Sequence, residues 1–234
     1  MQLFYNPSLD HSFKQFYFTA EESKHIVKVL RKKEGDVLYI TNGKGFLYEA
    51  KIIAADIKKC KAQLISENKT IPQSYSLHLA VAPTKINDRF EWFLEKATEI
   101  GINEITPILC ERSERKVIKP ERFEKVLQSA MKQSLQTYLP KLNPMVTLDE
   151  FLQKTEGDLK LIAHCGKGEK VELKRRLQAD KDVVILIGPE GDFSQDEIKQ
   201  TYEHGFSAVS LGRNRLRTET AAIYACTVVS ILNN

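Results

Sequence analysis

The chain has 234 residues, 42% of them hydrophobic and 28% charged, with 11 Gly and 8 Pro. At roughly 150 residues per domain this is one large or two small globular domains, and it excludes a disordered or fibrous chain. The formal charge of +4 sits in the first third: residues 1–72 carry 12 Lys and Arg against 8 Asp and Glu, and the remaining 162 carry 23 of each. A blocky surplus of this kind suits a domain that faces a polyanion, and a solvated basic face has the same composition. No basic segment followed by an apolar stretch opens the chain, and no apolar run reaches about 18 residues, so a cytoplasmic protein with no membrane partner is expected. The four cysteines stand singly, without the close pairs of zinc sites or disulfide frameworks, and no metal is expected.

Taken in chain order, the first 72 residues read as a small β-rich domain with one helix. Thr19 and Glu22 form a capping-box pattern that opens a helix over 21–31, with Ile26, Val27 and Leu30 on its apolar side. Residues 37–41 and 46–53 are β-rich runs joined by Asn42-Gly43-Lys44-Gly45, a pattern suited to the positive φ of a tight hairpin. A third run covers 61–66, and 67–73 is a polar linker. A compact β-barrel or half-barrel is expected.

From residue 73 to 234 strands and helices alternate. A strand over 77–82, a helix over 88–100 stopped by Gly101, and a strand over 104–109 make a βαβ unit. Pro120 starts a helix expected to reach about Leu139, and Thr147 with Glu150 caps a short one. The apolar runs 159–163, 183–187 and 208–211 are those of a parallel sheet covered on both faces. Ser194 with Glu197 caps a helix between the last two runs, and a final helix over 218–232 is apolar nearly all round. The fold class is α/β with a small β domain in front.

Two loops stand out. Residues 185–194 read Ile-Leu-Ile-Gly-Pro-Glu-Gly-Asp-Phe-Ser, a strand, a glycine turn and a capped helix. Glycines there let a ligand approach the backbone at the carboxyl end of the strand; a plain tight turn reads the same way. Residues 211–221 place Arg213, Arg215 and Arg217 in a loop before a helix whose start carries Thr218 and Glu219. Arginines so placed suit phosphate or carboxylate binding, and a solvated basic loop with an ordinary cap is the plainer reading. The glutamates Glu91, Glu95 and Glu99 at spacing four are best read as surface ion pairs.

Together, Pro83-Thr-Lys85, Asp88-Arg89, Glu91-Trp92, Glu95 to Gly101, Gly188 to Gly191 with Phe193-Ser194, and Leu211-Gly212 with Leu216 to Ala221 resemble the RsmE family of SPOUT-superfamily methyltransferases. Residues 25–31, followed by Gly35-Asp36, resemble that family's amino-terminal segment, so the likeness spans nearly the whole chain. The resemblance implies a PUA-like RNA-binding barrel (1–72) and a SPOUT α/β domain (73–234) with a trefoil knot at about 160–234. It implies a homodimer that uses S-adenosyl-L-methionine to methylate N3 of a uridine in 16S rRNA of the small ribosomal subunit. Two other readings differ from it: a SPOUT enzyme acting elsewhere on rRNA or tRNA, and a non-catalytic RNA-binding assembly factor.

Carried over by position, the resemblance assigns the cofactor to Ala163, His164, Gly188, Pro189, Glu190, Gly191, Leu211, Gly212, Leu216, Thr218, Thr220 and Ala221. Uracil N3 holds a proton at neutral pH, so Arg217 and Arg213 are expected to stabilise the developing anion, and Glu219 to accept the proton or orient the sulfonium. RNA contacts are expected from Lys24, Lys28, Arg31, Lys32, Lys33 and Arg89. The chain departs from the family in opening with Gln2-Leu-Phe-Tyr5 where an Arg-rich strand is usual. It also carries Lys132 and Gln136 where the family has an acidic residue and an arginine.

Overall fold

The computed structural model describes residues 1–233. They form two compact units, one of residues 1–72 with 131–139 and the other of residues 73–130 with the chain from 140 onward.

In the first unit the chain runs through β1 (Leu3–Tyr5), β2 (Gln15–Tyr17), α1 (Ala20–Lys24), β3 (Val37–Thr41), β4 (Phe46–Ala54) and β5 (Lys61–Lys69). The strands make a five-stranded mixed sheet in the order β1-β3-β4-β5-β2, in which β1 is parallel to β3 and the other pairs are antiparallel. Thr19 caps α1 through its side chain, accepting from the Glu22 N–H (3.2 Å). The helix expected over 21–31 does not stay α-helical: a π-turn takes over at His25–Val29, and the Leu30 N–H donates to the His25 carbonyl. The wider turn suits a sequence that must bring neighbouring residues to one side, since Ile26 is fully buried and Val27 and Leu30 pack on the same core as Phe4, Phe18, Ile40 and Tyr48. Arg31 then ends the helix in the left-handed region at φ 55°.

The Asn42–Gly45 loop does more than turn the β3–β4 hairpin. The Gly45 N–H donates to the Thr137 carbonyl (2.9 Å), the Leu139 N–H to the Gly43 carbonyl (2.9 Å), and the Thr41 hydroxyl to the Thr137 carbonyl (3.1 Å). A Cβ on Gly45 would stand 2.3 Å from the Tyr138 ring, so the residue must be glycine for close approach as well as for its φ of +91°. The same contacts correct the expected helix from Pro120 to Leu139. Helix α3 ends at Gln133, Leu135 turns the chain at φ 59°, and 137–139 pair with the hairpin loop instead.

The second unit continues with β6 (Leu77–Val81), α2 (Asn87–Ile100), β7 (Glu104–Leu109), α3 (Pro120–Gln133, its residues 131–133 counted with the first unit), β8 (Lys141–Leu142), β9 (Val146–Thr147), α4 (Leu148–Lys154) and β10 (Leu159–Ala163). It then runs through β11 (Val171–Glu172), α5 (Leu173–Arg176), β12 (Val183–Ile187), α6 (Gln195–Glu203), β13 (Ser207–Ser210) and α7 (Thr218–Asn233). The strand pairs of this sheet are parallel, in the order β11-β13-β10-β12-β6-β7-β8, with β9 beside β7. A sheet of this kind needs cover on both faces, and every residue of β12 is buried. Leu148, Phe151 and Leu152 of α4 and Ile198 of α6 form one core cluster with Ala80, Ile162 and Leu186, while α7 packs on α2, β6 and β12. Gly101 stops α2 in the left-handed region at φ 103°, and both later capping boxes, Thr147 with Glu150 and Ser194 with Glu197, are formed. The glutamates of α2 form ion pairs: Lys96 bonds Glu95 (2.7 Å) and Glu99 (3.0 Å), and Arg122 pairs with Glu91, which is more buried than the surface position expected of it. No described helix is long and apolar enough to cross a membrane.

Candidate active site

Strands β13, β10 and β12 lie side by side and in register, so Val209, Ala163 and Ile187 end together at one edge of the sheet. The three loops that leave this edge enclose a cavity of about 680 Å³. That volume is within the range of small-molecule sites, and the carboxyl edge of a parallel sheet is where such ligands bind.

The turn after β12 is fixed from several directions. Gly188 packs beneath Phe193, whose ring would lie 2.9 Å from an added Cβ. The Asp192 N–H donates to the Pro189 carbonyl (2.9 Å), and Asp192 itself takes φ 62°. One carboxylate oxygen of Asp192 accepts the Cys165 N–H (2.8 Å), joining this turn to the end of β10. Arg112 donates to the Gly191 carbonyl (3.1 Å), and Glu190 accepts the Lys85 N–H (3.0 Å). The loop after β13 is held mainly at its ends, by Ser210 with Gly212 and by the Thr218 hydroxyl donating to the Gly188 carbonyl (3.0 Å). Between them Arg213, Asn214, Arg215 and Arg217 are exposed.

The cavity gathers most of the residues picked from sequence. Ala163, His164, Gly188, Pro189, Glu190, Leu211, Gly212, Leu216, Thr218 and Ala221 line it, as do Arg213 and Arg217. Gly191, Thr220 and Glu219 are not part of the lining. Gly191 is instead packed on Arg112, 3.2 Å from where its Cβ would stand. Glu219 is 6% exposed, with Oε1 3.8 Å from Arg89 Nε and Oε2 buried without a hydrogen bond among the described residues. Buried there, it faces Arg89, so the residue expected to contact RNA has a carboxylate partner within the protein.

Sequence reasoning missed Cys165, Lys170, Asp192 and Asn214, which also line the cavity, as does Arg215 of the arginine loop. Asp192 and Asn214 lie inside the two loops already singled out. Lys170 sits in a run with no pattern of its own, and only the pairing of β11 with β13 brings that run back to the edge. The cationic lining residues Lys170, Arg213, Arg215 and Arg217 outnumber the acidic Glu190 and Asp192, so the rim favours an anion.

His164 follows β10, nearly buried, with Nε2 3.1 Å from the Tyr202 hydroxyl and Nδ1 without a hydrogen-bond partner among the described residues. Burial holds its pKa below the ordinary value, Lys170 lowers it further, and Asp192 opposes the shift. In the first unit Lys24, Lys28, Arg31 and Lys33 are exposed and Lys32 half-buried, and among the described residues none of the five joins an ion pair. No group of three metal-type ligands occurs among the described residues.

A family model described as an RNA methyltransferase domain matches residues 72–230, and one described as an RNA methyltransferase PUA domain matches residues 18–65. The chain is 32% identical over 232 residues to the ribosomal RNA small subunit methyltransferase E of Buchnera aphidicola, covering 95% of this chain and 90% of that one. Among solved structures, a probable rRNA methyltransferase from Porphyromonas gingivalis superposes with a TM-score of 0.93 at 38% identity, over 100% of this chain and 98% of the other. A methyltransferase from Legionella pneumophila, solved with the cofactor S-adenosylmethionine bound, superposes with a TM-score of 0.87 at 31% identity, over 99% and 97% of the two chains. The likeness runs the full length of these relatives, through the PUA domain and the parallel sheet that carries the glycine turn and the arginine loop, and the chain belongs to the RsmE family of RNA methyltransferases.

Proposed function

We propose that the chain transfers the methyl group of S-adenosylmethionine to N3 of a uridine in 16S rRNA of the small ribosomal subunit, acting as a cytoplasmic homodimer. The observation that carries this reading is the cavity at the ends of β10, β12 and β13, with a braced glycine turn on one side and three exposed arginines on the other. Its lining fits the cofactor. Gly212, at φ +120°, has nothing within 4 Å of where a Cβ would stand, which leaves room for a flat base against the main chain. Ile187, Val209, Leu211 and Leu216 supply apolar surface beside the backbone groups of the glycine turn, a mixture suited to an adenosyl group with a polar tail.

When bound, the cofactor supplies an electrophilic methyl group on a sulfonium. The protein's part is to orient that group, admit the base and manage charge. Arg217 and Arg213, on the exposed side, offset the negative charge that develops on the uracil imide or hold the adjoining phosphate. Lys24, Lys28, Arg31, Lys32 and Lys33 of the first unit hold RNA phosphates electrostatically. The trefoil knot expected in residues 160–234 belongs to the same proposal; the strand order β13-β10-β12-β6 and the tie from Thr218 to Gly188 support it. Tyr224, Ile231 and Leu232 of α7 are exposed, which supports a second copy packing on that helix.

The test is methyl transfer from isotopically labelled S-adenosylmethionine to small subunits that lack the modification, followed by nuclease digestion and mass spectrometry. A single 3-methyluridine in 16S rRNA is expected. A ribose methyl, a methylated guanine or a tRNA acceptor would overturn the choice of acceptor. A protein that binds RNA but shows no calorimetric binding of S-adenosylmethionine would replace the enzyme with an assembly factor.

A further inference from the structure

Methylating uracil N3 requires an acceptor for its proton, and the role of that acceptor rests on the function proposed above. Glu219 is poorly placed for it, being buried against Arg89 and not part of the cavity lining. Two acidic side chains line the cavity, Glu190 and Asp192. Asp192 is committed to structure, since its carboxylate holds the Cys165 N–H and so joins the turns after β10 and β12. Glu190 differs on each point that matters. It is exposed at the tip of its turn, Oε1 is oriented by the Lys85 N–H (3.0 Å), and Oε2 accepts no hydrogen bond among the described residues.

We propose that Glu190 is the catalytic residue that takes the N3 proton. In the step, the N3–H bond breaks and the proton passes to Glu190 Oε2. The electron pair left on N3 forms the new bond to the methyl carbon. The carbon–sulfur bond breaks with its pair going to sulfur, which becomes the neutral thioether of S-adenosylhomocysteine. Glu190, being exposed, then releases the proton to water. A carboxylate is a weaker base than the uracil imide anion, so the cations on the opposite loop, Arg213 and Arg217, are needed to offset charge on the uracil oxygens as the proton leaves.

The test is Glu190→Gln, which keeps a carbonyl oxygen to accept the Lys85 N–H and loses only the basic oxygen. Calorimetric affinity for S-adenosylmethionine is expected within about twofold of the parent, while methyl transfer at neutral pH falls by about 10²–10⁴-fold. The residual rate should rise about tenfold per pH unit on the alkaline side, as N3 ionises without help, and RNA made with 5-fluorouridine, whose N3 is more acidic, should recover part of the loss. A rate within about fivefold of the parent, a pH profile parallel to it, or loss of cofactor affinity together with rate would each overturn the assignment. If the parent protein instead methylates a ribose or a purine, the proposed acceptor fails and this role fails with it; that outcome is read on the product, independently of the variant.

Discussion

The turn after β12 and the loop after β13 border one cavity and are built in opposite ways. In the first, Gly188, Asp192 and Ser194 are fixed by ring packing, a backbone bond and a complete capping box, and Arg112 and Lys85 brace it from neighbouring loops. In the second, Arg213, Asn214, Arg215 and Arg217 are exposed between two end ties, and only Leu216 is half-buried. The difference separates two tasks. A small ligand that must be oriented to a fraction of an ångström needs a preformed wall, whereas a large polyanion arriving from solvent needs charge that can adjust to it. Local opening free energies should differ accordingly, so the amides of 213–216 should exchange hydrogen far faster than those of 188–193.

The sharpest way to break this division is Arg217→Ala. If the exposed loop handles the substrate's charge, methyl transfer should drop about 10²–10³-fold, the scale seen when one donor to a developing anion is removed, with cofactor affinity unchanged. Single-turnover rates beside calorimetric titrations would show it. A parallel fall in affinity would place Arg217 in the cofactor wall and dissolve the contrast. The complementary change is Gly188→Val on the braced side. A Cβ 2.9 Å from the Phe193 ring forces repacking that costs about 1–3 kcal/mol, so thermal stability and cofactor affinity should fall together.

The contrast between the two loops is partly legible in the residues themselves. Gly188, Pro189 and Gly191 mark a turn, and Ser194 with Glu197 marks the helix after it, because each depends on local backbone chemistry that the sequence states directly. Three arginines at alternate positions likewise announce an exposed loop. The features that stay hidden depend on residues distant in sequence. Glu219 reads as a helix-start carboxylate, either cap or proton acceptor, and only the packing of α7 against α2 sets it beside Arg89. Gly45 reads as half of a hairpin turn, and only the return of 137–139 shows that its missing side chain makes room for Tyr138. The π-turn at His25–Val29 is equally hidden, since an apolar pattern suited to an α-helix does not reveal one extra residue in a turn.

A smaller pair of changes sharpens the comparison on stability alone. Ser194→Ala removes the cap that starts α6, whose Ser194 hydroxyl accepts the Glu197 N–H (3.3 Å). It should cost about 1 kcal/mol, or about 2–4 °C in melting temperature for a chain of this size. Arg213→Ala with Arg215→Ala should change stability by less than about 0.5 kcal/mol. That double variant should instead reduce the salt dependence of RNA binding, by about 0.7 in the log–log slope for each phosphate of single-stranded RNA that is no longer neutralised. Fluorescence anisotropy across a salt series would show this, and an unchanged slope would mean that those two side chains do not meet phosphate.

The smallest effect expected is a pH dependence on the braced side of the cavity. His164 is held mainly neutral in the folded protein, because burial and Lys170 lower its pKa from the ordinary 6.5 while Asp192 only partly compensates. Between that lowered value and 6.5 the unfolded chain binds a proton that the native chain does not. The stability tied to His164 is therefore complete above about 6.5, declines as the pH falls through that value, and levels off below the native pKa. His78 on β6 is shifted in the same sense, chiefly by burial, and its Nε2 lies 2.7 Å from the Thr106 hydroxyl. Urea midpoints measured from about pH 7.5 to about pH 5 should fall for the parent protein and fall less steeply for His164→Gln. The double variant with His78→Gln should be flatter still, because two separate sites of native-state proton exclusion are then removed. If the double variant keeps the parent's slope, the acid loss of stability arises from carboxylates, and His164 lines the cavity without its charge state affecting the fold.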